Sequence, residues 1–283
     1  MKKLISFILA ATFALTALLC FASCGGGITI AIPNDTTNEA RALLLLEQQG
    51  IIKLKEGAGI TATIRDIVEN PYNVTFKETE AAQLPRVLQD VDYAVINSNY
   101  AIAADINPTE KALAMEGSSS AYSNIIAVKE GNENTDKIKA LVAALSSKKV
   151  AEFITGKYAG AVVSVVDNPG DGFDSTVDYS KLNGTEITVA ASPAPHAEIL
   201  AVAKDILAEK GITLTVKEFS DYVIPNTVVD DGEVDANYFQ HLPYLNDFNA
   251  EKGTKIVSVA AIHVEPLGIY GGKQTTLDAV KGK

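Results

Sequence analysis

The chain has 283 residues, 47% of them hydrophobic, which is enough for two compact lobes or one large domain and too apolar for a disordered chain. Its 24 basic against 35 acidic residues give a formal charge of -11, which excludes an overall basic footprint for nucleic acid. Both cysteines, Cys20 and Cys24, lie near the N-terminus, so no disulfide or thiolate metal site can form in the body of the protein.

Lys2 and Lys3 precede an apolar run from Leu4 to Phe21 that contains no acid, the layout of a secretory signal. Ala22 and Ser23 then lead into Cys24 and Gly25-Gly26-Gly27. Small residues before a cysteine and glycines after it resemble a bacterial lipobox, although Phe21 stands where an aliphatic residue is usual. The resemblance implies that residues 1–23 are a lipoprotein signal peptide, with Cys24 the acylated, palmitate-bearing first residue of the mature chain and 24–27 its tether. An ordinary signal peptide or a retained anchor is the competing reading. Two acyl chains anchor stably where one binds only marginally, so the body is expected outside the cytoplasmic membrane, held to it by lipid.

The body reads as one design used twice. Ile28 to Ile32 is strand-like, and a helix follows from Thr36 to Gln49, with Thr36 and Glu39 spaced as a capping box and Gly50 as its stop. A strand at Val74 to Lys77, a short helix from Leu84 to Asp90 and the apolar run Tyr93 to Ile96 complete the first pass. The order recurs with a strand at Ile187 to Ala190, a helix from His196 to Lys210, a strand at Thr213 to Val216, a short helix at Asn226 to Asp231 and the segment Val234 to Phe239. The halves are 28–166 and 186–283. Between them 167–185, rich in Gly, Asp, Pro and Ser, reads as a surface linker, and its acids lack the spacing of a calcium loop. This is an α/β pattern of two lobes with mainly parallel sheets, and ligands belong at the strands' carboxyl ends, between the lobes.

No nucleophile, base and orienting group can be assigned, and no cofactor or metal motif is present, so the chain reads as a non-enzymatic protein without a cofactor. Of three histidines, His196 beside Pro195 reads as a capping or surface residue. Arginine occurs only at 41, 65 and 86. Arg41 follows a strand-to-helix turn, where its planar fork could hold a carboxylate by two parallel hydrogen bonds, or simply face solvent. Asn97 and Asn99 end the Val95-Ile96 run, where amides can bind an ammonium or carboxylate without adding charge. Asn237 to Tyr244 brings aromatics to the matching strand end, to wall an apolar slot or to fill a core.

Several runs are similar to the NlpA-type methionine-binding lipoproteins, which serve a methionine ABC importer. They are Ile30-Ala-Ile-Pro-Asn-Asp-Thr-Thr-Asn-Glu-Ala-Arg41, Asp66-Ile-Val-Glu-Asn-Pro71, Glu80-Ala-Ala-Gln-Leu-Pro-Arg86, Ala94-Val-Ile-Asn-Ser-Asn-Tyr100, Pro195-His-Ala-Glu-Ile-Leu200, Asp235-Ala-Asn-Tyr-Phe-Gln-His241 and His263-Val-Glu-Pro-Leu-Gly268. The family's usual order places the last three before the first four, so this chain looks like a circular permutant: 28–166 corresponds to the usual C-terminal part and 186–283 to the N-terminal part.

The resemblance implies a bilobal periplasmic-binding-protein-like (type II) fold and a ligand, methionine, delivered to an ABC permease. It further implies that Arg41 binds the ligand carboxylate, that Asn97 and Asn124 contact the head group, and that Tyr238, Phe239, Tyr244 and His263 surround the thioether. Asn99 is a weaker candidate, Asn38 and Asn237 read as structural, and His241 as a surrounding or surface group. A same-fold receptor for another amino acid or short peptide competes with this reading, as, from a different class, does an enzyme on the same scaffold. Fold alone does not decide among them.

Overall fold

A computed structural model of the chain describes residues 27–117 and 122–282. The signal, the lipobox and Cys24 lie outside the described residues. In chain order the strands and helices are β1 (Thr29–Pro33), α1 (Thr36–Gln48), β2 (Lys53–Leu54), β3 (Ile67–Glu69), β4 (Thr75–Thr79), α2 (Leu84–Val87), β5 (Tyr93–Ile96), α3 (Ser98–Ala103), α4 (Pro108–Lys111) and β6 (Ala112–Met115). They continue with β7 (Ser123–Lys129), α5 (Asp136–Leu145), α6 (Lys148–Tyr158), β8 (Val163–Ser164), α7 (Tyr179–Leu182), β9 (Glu186–Ala191), α8 (Glu198–Ala208) and β10 (Thr213–Glu218). The last are α9 (Ile224–Asp230), β11 (Ala236–His241), α10 (Leu242–Lys252), β12 (Ile256–Val264) and β13 (Gly268–Gly271).

Two sheets make two lobes. The first has the order β4-β1-β5-β13-β6, the second β10-β9-β11-β7-β12-β8. In each, three strands run parallel through helical crossovers, and the rest of the sheet is antiparallel. The expected mainly parallel sheets are therefore half right, because β7 and β13 enter by a crossing from the other lobe instead of through a helix.

The assignment of one lobe to each half of the sequence is corrected in the same way. The chain leaves the first lobe after β6 and enters the second at β7, then returns between β12 and β13, so each sheet takes strands from both halves. The chain thus crosses between the lobes twice, once between β6 and β7 and once at 265–267.

Local chemistry explains the elements that frame the site. Asp35, not Thr36, caps α1: its carboxylate accepts the Asn38 N–H at 3.1 Å. Glu39 does not close a capping box, since its Oε1 accepts the Ile64 N–H at 2.9 Å and so ties α1 to the segment beside it. The helix buries Ala40, Ala42, Leu43, Leu45 and Leu46 against β1 and β5, and full burial of each leucine stabilises by roughly 1.5–3 kcal/mol. Its polar face, Asn38 and Arg41, is buried too, toward the other lobe.

The segment 167–185 is not a loose linker. Val177 and Leu182 are buried in the second lobe's core, with Phe173 and Tyr179 packed beside them, and the Gly170 N–H and carbonyl bond Ser146 and Lys148. Gly172 has φ +101° and a Cβ there would meet Ile206 Cγ2 at 2.7 Å, so the turn requires glycine. Among the described residues no helix is long and apolar enough to cross a membrane.

Candidate functional site

A cleft lies between the lobes, where β1, β5 and β11 end. Arg41, Asn97, Asn124, Phe239 and Tyr244 line it, together with Asn38, Ser98, Asn99, Tyr222, Gln240, His241 and Glu265.

The first lobe's wall is a relay of fixed polarity. Asp35 can only accept, and its Oδ1 takes the Asn38 Nδ2–H at 2.8 Å. Asn38 Oδ1 is thereby turned inward, where it accepts from Asn97 Nδ2 at 2.8 Å and from Arg41 Nη1 at 3.3 Å. That leaves Asn97 Oδ1 buried without a partner among the described residues. Next to it stands Arg41, only 3% exposed. The expected two-pronged grip on a ligand is not open to this arginine: Nε and Nη2 are held by Glu116 at 3.1 and 2.6 Å, and Nη2 also donates to the Glu265 carbonyl at 3.3 Å. Nη1, with Asn38 as its one partner among the described residues, keeps a hydrogen for the cleft. The Arg41 guanidinium carbon stands over the Tyr122 ring, 4.4 Å from its centroid.

The second lobe's wall is aromatic. Tyr222, Phe239 and Tyr244 meet with ring centroids 5.8 to 6.1 Å apart. His241 accepts the Tyr244 N–H at the start of α10, and burial pushes its pKa well below the ordinary histidine value. Tyr222 also closes the mouth: its hydroxyl donates to Asn99 Oδ1 at 2.8 Å across the lobes, and Tyr100 donates to the Ser220 carbonyl at 3.2 Å.

Two expected ligand residues lie behind the wall instead of on it. Tyr238 and His263 are fully buried, and the Tyr238 hydroxyl donates to His263 Nδ1. His263 Nε2–H in turn donates to Glu265 Oε1 at 2.8 Å. The ladder of β11 is irregular between Tyr238 and Gln240, and Phe239, Gln240 and His241 reach the cleft while Tyr238 stays behind it. His196 is also fully buried, neither at the surface nor a cap, with Nε2 2.9 Å from Asn124 Oδ1 and 3.3 Å from Glu265 Oε1. Burial pushes the pKa of both His196 and His263 down to about 3, and that of Glu265 up. His196, His263 and Glu265 have ligand atoms within 4.8 Å of one another, as a cation site would. Their hydrogen bonds already use those atoms, so the two histidines are neutral supports under Asn124 and Glu265.

Of the two asparagines read as structural, Asn237 is so, donating to the Pro225 carbonyl and Asn226, whereas Asn38 lines the cleft, as do the weaker candidate Asn99 and His241. Asn38 was within reach of sequence reasoning, three residues before Arg41 on one helix face. Glu116, Tyr222 and Glu265 carry no local signal, since only the lobe crossings bring them here.

Two α/β lobes joined by two crossings, with a polar wall facing an aromatic one, make a two-lobed fold with an interlobe cleft. The model of the NlpA lipoprotein family matches residues 22–166 and 187–283, and the chain belongs to that family. Among curated relatives it is 46% identical over 138 residues to membrane lipoprotein TpN32 of Treponema pallidum, covering 49% of this chain and 52% of that one. It is 41% identical over 139 residues to the D-methionine-binding lipoprotein MetQ of Escherichia coli K12, covering 48% and 51%. A solved nutrient-binding protein of Burkholderia cenocepacia bound to methionine shares 51% identity, with a TM-score of 0.47 over 48% of this chain and 58% of that one. The chain thus spans about half the length of the curated relatives it matches.

Proposed function

We propose that this protein is a lipid-anchored receptor that closes its lobes over methionine and delivers it to an ABC import permease. The observation that carries the reading is the pair of unmet groups side by side in the cleft: Asn97 Oδ1 wants a donor and Arg41 Nη1 offers one. An α-amino acid supplies both complements, its ammonium to the first and its carboxylate to the second. The aromatic wall suits a flexible thioether, which gains from sulfur–ring contacts, and the family's curated relatives include D-methionine-binding lipoproteins. Calorimetric titration of the chain with a panel of amino acids tests this. Methionine is expected to bind most tightly; a polar or short amino acid binding at least tenfold more tightly would overturn it.

Anchoring at Cys24 belongs to the same proposal, supported by the small residues and glycines flanking it. Mass spectrometry of membrane-extracted protein should find an acylated fragment starting there, and an unmodified thiol in exported protein would count against it. So does the permuted order. In support, alignment with each relative spans only about half of each chain, and both ends of the body converge on Asp92, whose carboxylate takes the Thr29 N–H and the Gln274 amide. A chain reopened in the linker, with 283 joined to 28, should fold and bind equally well. Failure of that chain to bind would sink the permutation.

A further inference from the structure

Glu116 is not part of the cleft lining, yet it controls the cleft's one cation. It sits where β6 ends and the chain leaves the first lobe, with its side chain 15% exposed. Its carboxylate runs along the Nε–Nη2 edge of Arg41, and the same carboxylate accepts the Leu267 N–H at 2.9 Å on the return crossing. Its own N–H donates to the Leu267 carbonyl at 2.9 Å. Both crossings are thereby fastened to the group that faces the ligand. The charge consequence is direct: Arg41 and Glu116 cancel, His241 is neutral, and the remaining ionisable group on the lining with a charge to give is the acid Glu265.

We propose that Glu116 is a specificity-determining residue: by occupying Arg41's two-pronged edge and cancelling its charge, it restricts the cleft to ligands without net charge and presents a single Nη1 N–H to their carboxylate. This rests on the reading of the cleft as an amino-acid site. An anionic ligand would enter a cleft with no net positive charge and would be disfavoured; a zwitterion brings its own balance.

Glutamate matches methionine closely in chain length and differs by one negative charge, so the two form the probe. Calorimetry on the parent, Glu116→Gln and Glu116→Asp should give a glutamate-to-methionine affinity ratio that rises about tenfold or more in Glu116→Gln and stays near the parent's in Glu116→Asp, which keeps the charge. A fold role alone would weaken both ligands together and leave the ratio unmoved, which would overturn the proposal. With three arginines in the chain, the Arg41 Nε–H resonance can be followed by NMR in the unaltered protein. It should keep its position and exchange protection when methionine binds. A shift to free-arginine behaviour would mean the ligand takes the edge from Glu116, and overturns the proposal even if Glu116→Gln fails to fold. Should the parent bind neither amino acid, the methionine reading falls by itself. Glu116 is then judged by whether that resonance loses protection in Glu116→Gln: loss supports its hold on Arg41, and no change refutes it.

Discussion

The two walls of the cleft are built from the same kind of α/β layer but fail and function differently. In the first lobe, Asp35, Asn38, Arg41, Asn97 and Glu116 form a hydrogen-bonded train from which Asn97 and Arg41 face the cleft. In the second, Tyr238, His263, Glu265, His196 and Asn124 form a comparable train that runs beneath an aromatic surface and reaches the cleft at Asn124 and Glu265. On the proposed reading the first spends its polarity on recognition and the second on holding the wall in place. Variants on the first wall should therefore act on affinity, and variants beneath the second on stability.

The sharpest contrast is Arg41→Ala. It removes the cleft's cation and leaves Glu116 without its partner, so binding should fall by roughly 30-fold to several-thousand-fold, the range for truncating one member of a desolvated charge pair, about 2–5 kcal/mol. Titration of the folded variant checks it. Retention of affinity within about threefold would move the anchor elsewhere and erase the distinction between the walls.

Acid should act on the second wall. Folded, His196 and His263 have pKa values of about 3, against 6.5 ordinarily. Between those limits the unfolded chain binds protons that the folded chain refuses. Their contribution is therefore full above about pH 6.5 and is lost as pH falls, by about 2 kcal/mol for each histidine at pH 5. Glu265, with its pKa raised by burial, opposes this, since the folded chain keeps a proton there that the unfolded one releases as pH rises above 4.5. Urea midpoints at pH 7 and pH 5 measure the balance, with a lower midpoint expected at pH 5. An unchanged or higher midpoint would show that the imidazoles are not held neutral.

Tyr238→Phe probes the same train without a charge change. It strips the donor from His263 Nδ1 and leaves a buried acceptor unmet, at a cost of about 1–3 kcal/mol in stability. Methionine affinity should stay within about threefold of the parent's, since the hydroxyl lies behind the wall. A variant equally stable but weak in binding would put Tyr238 back among the ligand residues.

How much of this was legible in the sequence follows the reach of each signal. The strand at Tyr93–Ile96 and the helix starting at Thr36 were readable because apolar runs and turn residues are local. Arg41 and Asn97 were readable as candidates because strand ends are where α/β folds bind ligands. The division into lobes was not, since it depends on β7 and β13 crossing between sheets. Nor was the packing of 167–185: its Gly, Asp and Pro content is that of a linker, and only Val177, Leu182 and the Phe173–Tyr179 pair betray its burial. Glu116 was invisible because its partner lies 75 residues away.

The smallest effect expected separates closure from recognition. Tyr222 belongs to the aromatic wall, yet its hydroxyl is the group that crosses to Asn99 in the other lobe, and its carbonyl takes the Tyr244 hydroxyl at 3.0 Å. Tyr222→Phe keeps the ring and removes that single interlobe bond. A net loss of about 0.5–1.5 kcal/mol should destabilise the closed state and weaken binding by roughly 2- to 10-fold. Because the bond exists only once the lobes have met, the change should appear in ligand release and leave association nearly untouched. Stopped-flow dissociation of methionine from the two proteins reads this directly. Slower association with unchanged release would mean that Tyr222 shapes the open cleft instead of latching the closed one, and the aromatic wall would then share in recognition as fully as the polar one.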